Sequence, residues 1–414
     1  MLDGTERLWF QGDARLGVGT RMGEHGRARG VAAILVGVAL LVAGPFGATL
    51  AGASRVPAGA ASSAGGRSKA GRPGELISAT PIIAPAGARG WRVLYHSRAV
   101  DGRDVAVSGV VVAPTGKGPG GGRPVVSWAH GTHGLADSCA PSRAIDVTYR
   151  ITGVRDFLRS GYVVAATDYE GLGTPGEHPY LVGPSEARGV LDIARAAQQL
   201  PAADASANVL VYGHSQGGQA ALFAGELAHS YAPQLHLLGV TAVAPVSDPA
   251  ALLPTASQTP ALLGYVVMAM VGLHAAYPSV DLSGVLTPET LGNLNVVDQL
   301  CSDDVIDYFA QRTPAQVLAH SPVDVPAVAA LLRQERAGTV SSAAPVLVIQ
   351  GDRDLLVPQA QTDQYVQRAC ADGDSVLYRV YPGQDHVGAR DASVRDVESW
   401  MADRLAGISP PSNC

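Results

Sequence analysis

The segment Gly213-His214-Ser215-Gln216-Gly217 places a serine between glycines, directly after the apolar run Asn208–Tyr212 and before a helical pattern. A strand–turn–helix in this form is the setting of a nucleophilic serine. The turn is so tight that side chains at the flanking positions would clash, and it lifts the hydroxyl above the strand ends, at a helix N-terminus that favours negative charge. A serine hydroxyl becomes a useful nucleophile only when a base takes its proton and a third group fixes the tautomer of that base. Both are expected later in the chain, the acid before the histidine. Asp354 follows the strand-like run Pro345–Gln350, and His386 follows the last such run, Ser375–Tyr381, on a loop at the same edge. Asp352 competes for the acid role but suits the turn better. Acyl transfer also needs amide donors for the oxyanion. Gln216, next to the nucleophile, is one, and Thr132 in Ala129-His130-Gly131-Thr132-His133-Gly134 is the other, since Gly131 lets that loop turn towards the site. His130 and His133 form a close pair without a third metal ligand, and no Cys/His spacing suggests zinc, so neither metal nor cofactor is expected.

These residues need a scaffold that brings distant loops to one edge. Trp91–Tyr95 and Val105–Val112 read as an opening antiparallel pair. Short apolar runs at Val125–Trp128, Tyr162–Ala166, Asn208–Tyr212, Val240–Pro245, Pro345–Gln350 and Ser375–Tyr381 alternate with helical stretches such as Ser185–Leu200 and Gly218–Ser230. Near-continuous apolar strands separated by helices predict a parallel sheet covered on both faces. The fold expected is α/β, of the α/β-hydrolase type, with a mostly parallel sheet flanked by helices in a catalytic domain spanning 75–414. The interval of about 249–339 lacks a strand pattern and is expected to be a helical cap over the site. Within it Ala261–Tyr277 is apolar almost all round, and Leu262, Val266, Met270 and Leu273 form a stripe that either lines an acyl pocket or is simply core.

The N-terminus points to export. Arg27 and Arg29 precede the apolar run Val31–Leu41, which continues with interruptions to the small-residue site Ala51-Gly52-Ala53. Residues 1–53 therefore read as a signal peptide whose true start is Met22, followed by a flexible linker over 54–74. The alternative is an uncleaved membrane anchor, because the run approaches the about 20 residues that span a bilayer. Four cysteines, Cys139, Cys301, Cys370 and Cys414, fit an oxidising compartment, with three pairings open. Charged residues are only 16% of the chain and its net charge is −6, without a basic stripe, which argues against nucleic acid as partner.

The chain resembles the secretory lipase family from about Trp91 onwards, through Ser127-Trp128-Ala129-His130-Gly131-Thr132, Asp168-Tyr169-Glu170-Gly171-Leu172-Gly173, Gly213–Gly218 and the Asp354 and His386 loops. That resemblance implies a secreted, cofactor-free hydrolase of carboxylic esters, with an ester or lipid substrate met transiently at a lipid interface. It also implies the pairs Cys139–Cys301 and Cys370–Cys414, the second worth about 4 kcal/mol on the chain-entropy model. Some family members carry an acidic side chain near the oxyanion hole, where this chain offers Thr132. Asp168 and Glu170 are expected to brace neighbouring loops. A secreted peptidase, an acyltransferase and a non-catalytic envelope protein remain alternatives on the same scaffold.

Overall fold

The computed structural model describes residues 70–146 and 150–414. The signal-peptide reading of 1–53, and all but the last five residues of the 54–74 linker, lie outside the described residues. Gly71 already donates to the Asp104 carboxylate and Gly74 to the His96 carbonyl, so these residues of the expected linker are part of the folded body.

Nine strands of the described residues form one sheet in the order β1-β2-β3-β5-β4-β6-β7-β8-β9. β1 (Leu76–Ile82), β2 (Ala88–Arg98) and β3 (Asp104–Pro114) make an antiparallel meander, and β3 also pairs antiparallel with β5 (Val163–Glu170). From there on the sheet is parallel, through β4 (Arg123–Ala129), β6 (Ala205–His214), β7 (His236–Val243), β8 (Val346–Gly351) and β9 (Val376–Tyr381). Alternate side chains of each parallel strand enter different cores, as a two-residue period requires. Val209, Val211, Val346 and Val348 face a core with α2 (Gly183–Gln198), α3 (Gln216–Tyr231) and α11 (Gln359–Ala371). Leu210, Tyr212, Leu347 and Ile349 face the opposite core, with α1 (Val154–Arg159), α12 (His386–Ala392) and α13 (Val394–Leu405). Burial on both faces explains why these strands read as continuous apolar runs.

Between β7 and β8 the chain inserts α4 (Pro249–Ala256), α5 (Leu263–Ala276), α6 (Pro288–Leu291), α7 (Asn295–Gln299), α8 (Ser302–Ala310), α9 (Pro314–Val317) and α10 (Pro326–Gln334), with a core of its own. That core also takes in Leu135, Tyr180 to Val182 and Val357, so the insertion rests on the loops that follow β4, β5 and β8. α5 is apolar all round because it is covered on most sides. A side chain at Gly264 would strike the backbone of Ile306, and one at Gly272 the backbone of Tyr180. Of the stripe expected along this helix, Val266, Met270 and Leu273 are buried in the insertion's core, while Leu262 ends a preceding 3-10 turn and is only partly buried. Packing accounts for all four. No helix among the described residues is long and apolar enough to cross a membrane.

The cysteines pair as Cys139–Cys301 and Cys370–Cys414. The first ties the segment after β4 to the start of α8 and closes a loop of 162 residues; the second closes one of 44. On the chain-entropy model the longer loop is worth about 5 kcal/mol and the shorter about 4. Cys139→Ser/Cys301→Ser is thus expected to lose more stability in urea unfolding than Cys370→Ser/Cys414→Ser. The reverse order would show that the insertion docks without its covalent tie.

Candidate active site

β6 ends at His214, and Ser215 is the N-cap of α3, with φ 60° and ψ −118°. A non-glycine residue in this region is strained, and the strain persists because its neighbours leave no alternative. A Cβ at Gly213 would lie 1.8 Å from the Gly217 carbonyl oxygen, and one at Gly217 would lie 2.1 Å from that of Ala129. The two glycines are therefore a steric requirement of the elbow. Ser215 is 8% exposed.

Asp354 lies beyond the end of β8, and its carboxylate accepts four hydrogen bonds. Leu356 N (2.9 Å) and Val357 N (2.8 Å) bind Oδ1, while Gln350 Nε2 (3.0 Å) and His386 Nδ1 (2.6 Å) bind Oδ2. With Nδ1–H donating to Asp354, the lone pair of His386 lies on Nε2, and Nε2 is buried with no hydrogen-bond partner among the described residues. His386 itself opens α12, capped by the Asp385 side chain, rather than sitting on an open loop as expected. The Asp385–Gly388 turn explains the difference: Asp385 Oδ1 accepts from Gly388 N at 2.7 Å and starts the helix at once. Asp352 accepts from Gly383 N at 2.6 Å and so ties the loop after β8 to the turn after β9.

His214 was overlooked as the variable residue of the serine motif. Its ring lies 4.6 Å from that of His386, and its Nε2–H donates to the His386 carbonyl at 2.9 Å. Burial, then the neighbouring His386, holds its pKa well below the usual value, so it remains a neutral donor that fixes the backbone of the histidine.

The loop after β4 brings Gly131 beside the elbow, where its Cβ position is 3.7 Å from Ser215 Cβ. Two flanking residues hold this loop. Tyr169 Oη donates to the His130 carbonyl at 2.9 Å, and Thr132 Oγ1 shares a hydrogen bond of 2.7 Å with Tyr180 Oη. His130 and His133 both direct Nδ1 to the Gly131 carbonyl. Among the described residues no group of three His, Cys, Asp or Glu is placed to hold a metal. Asp168 accepts from Ser108 Oγ (2.7 Å) and Ser142 N (2.9 Å), and Glu170 from Ser185 Oγ (2.6 Å), so both brace loops.

Two further buried carboxyls escaped notice in the sequence. Glu186, in the first turn of α2, accepts from Leu181 N (3.0 Å) and from the Gln216 side chain (2.8 Å). Glu335, just after α10, accepts from Gly183 N (2.8 Å) and Tyr277 Oη (3.1 Å). Burial pushes Glu335 up to about 7 and Glu186 well above the usual carboxyl range. Folded Glu335 keeps its proton up to about pH 7, whereas the unfolded chain releases it near 4.5, so its contribution to stability falls as pH rises through that window. Glu335→Gln removes this dependence. Between pH 4.5 and 8 the variant is expected to gain about 3 kcal/mol relative to the parent in urea unfolding. A constant difference across that range would contradict the assignment.

The family model for secretory lipases matches residues 138–413. A Mycobacterium tuberculosis protein described as a probable inactive lipase is 24% identical over 76% of this chain and 73% of its own length. A secreted triacylglycerol lipase of Malassezia globosa is 26% identical over 78% of this chain and 74% of its own. Among solved structures, the closed state of Candida antarctica lipase A, an α/β-hydrolase, superposes with a TM-score of 0.71 at 20% identity, covering 83% of this chain and 84% of that one.

Proposed function

Because the chain belongs to the secretory lipase family, we propose that it is a secreted serine esterase or lipase, cleaving carboxylic esters of fatty acyl chains through an acyl-enzyme on Ser215. The observation that carries this reading is the Asp354–His386 pair at 2.6 Å, with a buried, unpartnered Nε2, in the same fold as a strained Ser215. In the first step Ser215 Oγ bonds to the ester carbonyl carbon and its proton passes to His386 Nε2. The amides of Gln216 and Thr132 receive the oxyanion. Collapse breaks the bond to the leaving alkoxide, which takes the proton from His386. Water then repeats the sequence on the acyl-enzyme, while Asp354 holds the imidazole in its tautomer and stabilises its charge. The helical insertion is read as a cap over this site, a reading supported by its packing on the loops that follow β4, β5 and β8. The two disulfides and the family support export, and residues 1–53 are read as its cleaved signal.

The test is hydrolysis of p-nitrophenyl esters from acetyl to palmitoyl, with p-nitroanilides as controls, by the mature chain. Cleavage of the esters without the anilides supports the reading, and the optimum chain length separates lipase from short-chain esterase. Cleavage of anilides alone would support the peptidase. Cleavage of neither would favour a non-catalytic envelope protein; the Mycobacterium tuberculosis relative is itself described as a probable inactive lipase.

A further inference from the structure

Both expected oxyanion donors have side chains bonded to one short segment, His178–Glu186. Thr132 Oγ1 meets Tyr180 Oη at 2.7 Å. The Gln216 carboxamide sends one hydrogen to His178 Nε2 at 3.0 Å and the other to Glu186 Oε1 at 2.8 Å. The protonation pattern is self-consistent. His178 Nδ1–H donates to the Glu170 carbonyl at 2.8 Å, which leaves Nε2 as an acceptor. Burial lowers His178 to about 4, so the ring is neutral at neutral pH.

The segment is itself over-determined. Leu181 stands at φ 59°, a strained value for leucine, and its N–H is held by Glu186 Oε1. Gly183 N is held by Glu335, and Tyr180 lies against Gly272 of α5 so closely that a methyl group there would clash. Glu186 is fully buried. Its Oε2 has no hydrogen-bond partner among the described residues, and the nearest ionisable nitrogen, His178 Nε2, is 4.0 Å away and uncharged. Without a cation, a buried carboxyl of this kind rests in its neutral form.

Building on the serine-esterase reading, we propose that Glu186 is a positioning residue: its neutral carboxyl anchors the Gln216 side chain and the Leu181 turn, and so fixes the spacing of the Gln216 and Thr132 amides that receive the oxyanion. Glu186 touches no reacting atom. Its effect passes through two residues that do, so its loss is felt in the transition state rather than in substrate binding.

The experiment compares the mature chain with Glu186→Leu, Glu186→Gln and Tyr180→Phe on p-nitrophenyl butyrate, with Ser215→Ala alongside. Glu186→Leu is expected to lose roughly a hundredfold in kcat, the scale of one misplaced oxyanion donor, with KM within about threefold. Glutamine reproduces the neutral carboxyl, and Glu186→Gln is expected to recover kcat to within about fivefold of the parent. Tyr180→Phe, which removes only the hydroxyl on Thr132, is expected to lose about tenfold in kcat with an unchanged melting temperature. If Glu186→Leu does not fold, an unchanged kcat in Tyr180→Phe, or a kcat for Glu186→Gln more than about fivefold below the parent, overturns the proposal. An unchanged kcat in Glu186→Leu, a loss confined to KM, or glutamine as damaging as leucine would each overturn the proposal. Activity surviving in Ser215→Ala would instead overturn the serine-esterase reading beneath it.

Discussion

Ser215→Ala lowers kcat for ester hydrolysis by at least about a thousandfold, while the melting temperature stays within a few degrees of the parent. The loss is large because the account routes every covalent step through Oγ: without it His386 has no proton to accept, and only binding and the oxyanion amides remain. The small effect on stability follows from the same geometry. Alanine keeps the Cβ, meets the same glycine-lined elbow and suffers the same strain at φ 60°. Steady-state kinetics and a thermal melt on one preparation check both halves. A variant that keeps a tenth of the activity would place the nucleophile elsewhere.

The second large effect is Asp354→Asn. The side chain now has one oxygen and one NH₂ group in a pocket where all four neighbours donate. If the oxygen keeps the two backbone amides of Leu356 and Val357, the NH₂ group confronts Gln350 Nε2 and His386 Nδ1. The imidazole relieves that conflict by moving its proton to Nε2, the wrong tautomer for accepting one from Ser215. The expected loss in kcat is about 10⁴-fold, the size seen when the acid of a serine triad becomes an amide. The melting temperature should fall as well, since a donor now faces donors in a buried site. A loss below about tenfold would mean that Asp354 does not orient the base.

Much of this was legible in the sequence, and the reason is local. The elbow is contiguous, so the spacing of Gly213, Ser215 and Gly217 states its own steric argument. Asp354 and His386 follow apolar runs that must be strands, so their places at one sheet edge follow from chain order. The disulfide pairs came from resemblance, since four cysteines alone leave three choices. Other features depend on distance. β1 is largely exposed and carries Pro81, which hides an edge strand. Glu186 reads as an ordinary acidic residue in the first turn of a helix. Its meaning appears only when folding brings Gln216 and His178 against it, 30 and 8 residues away. His214 likewise gains its role only from the carbonyl of His386, 172 residues on.

The most direct test of the central claim is covalent. The mature chain is treated with a fluorophosphonate, digested and mapped by mass spectrometry, with Ser215→Ala as control. The account predicts one phosphonylated residue, Ser215, in the parent and no adduct in the variant. No adduct in the folded parent, or one on a different residue that survives in Ser215→Ala, would contradict it.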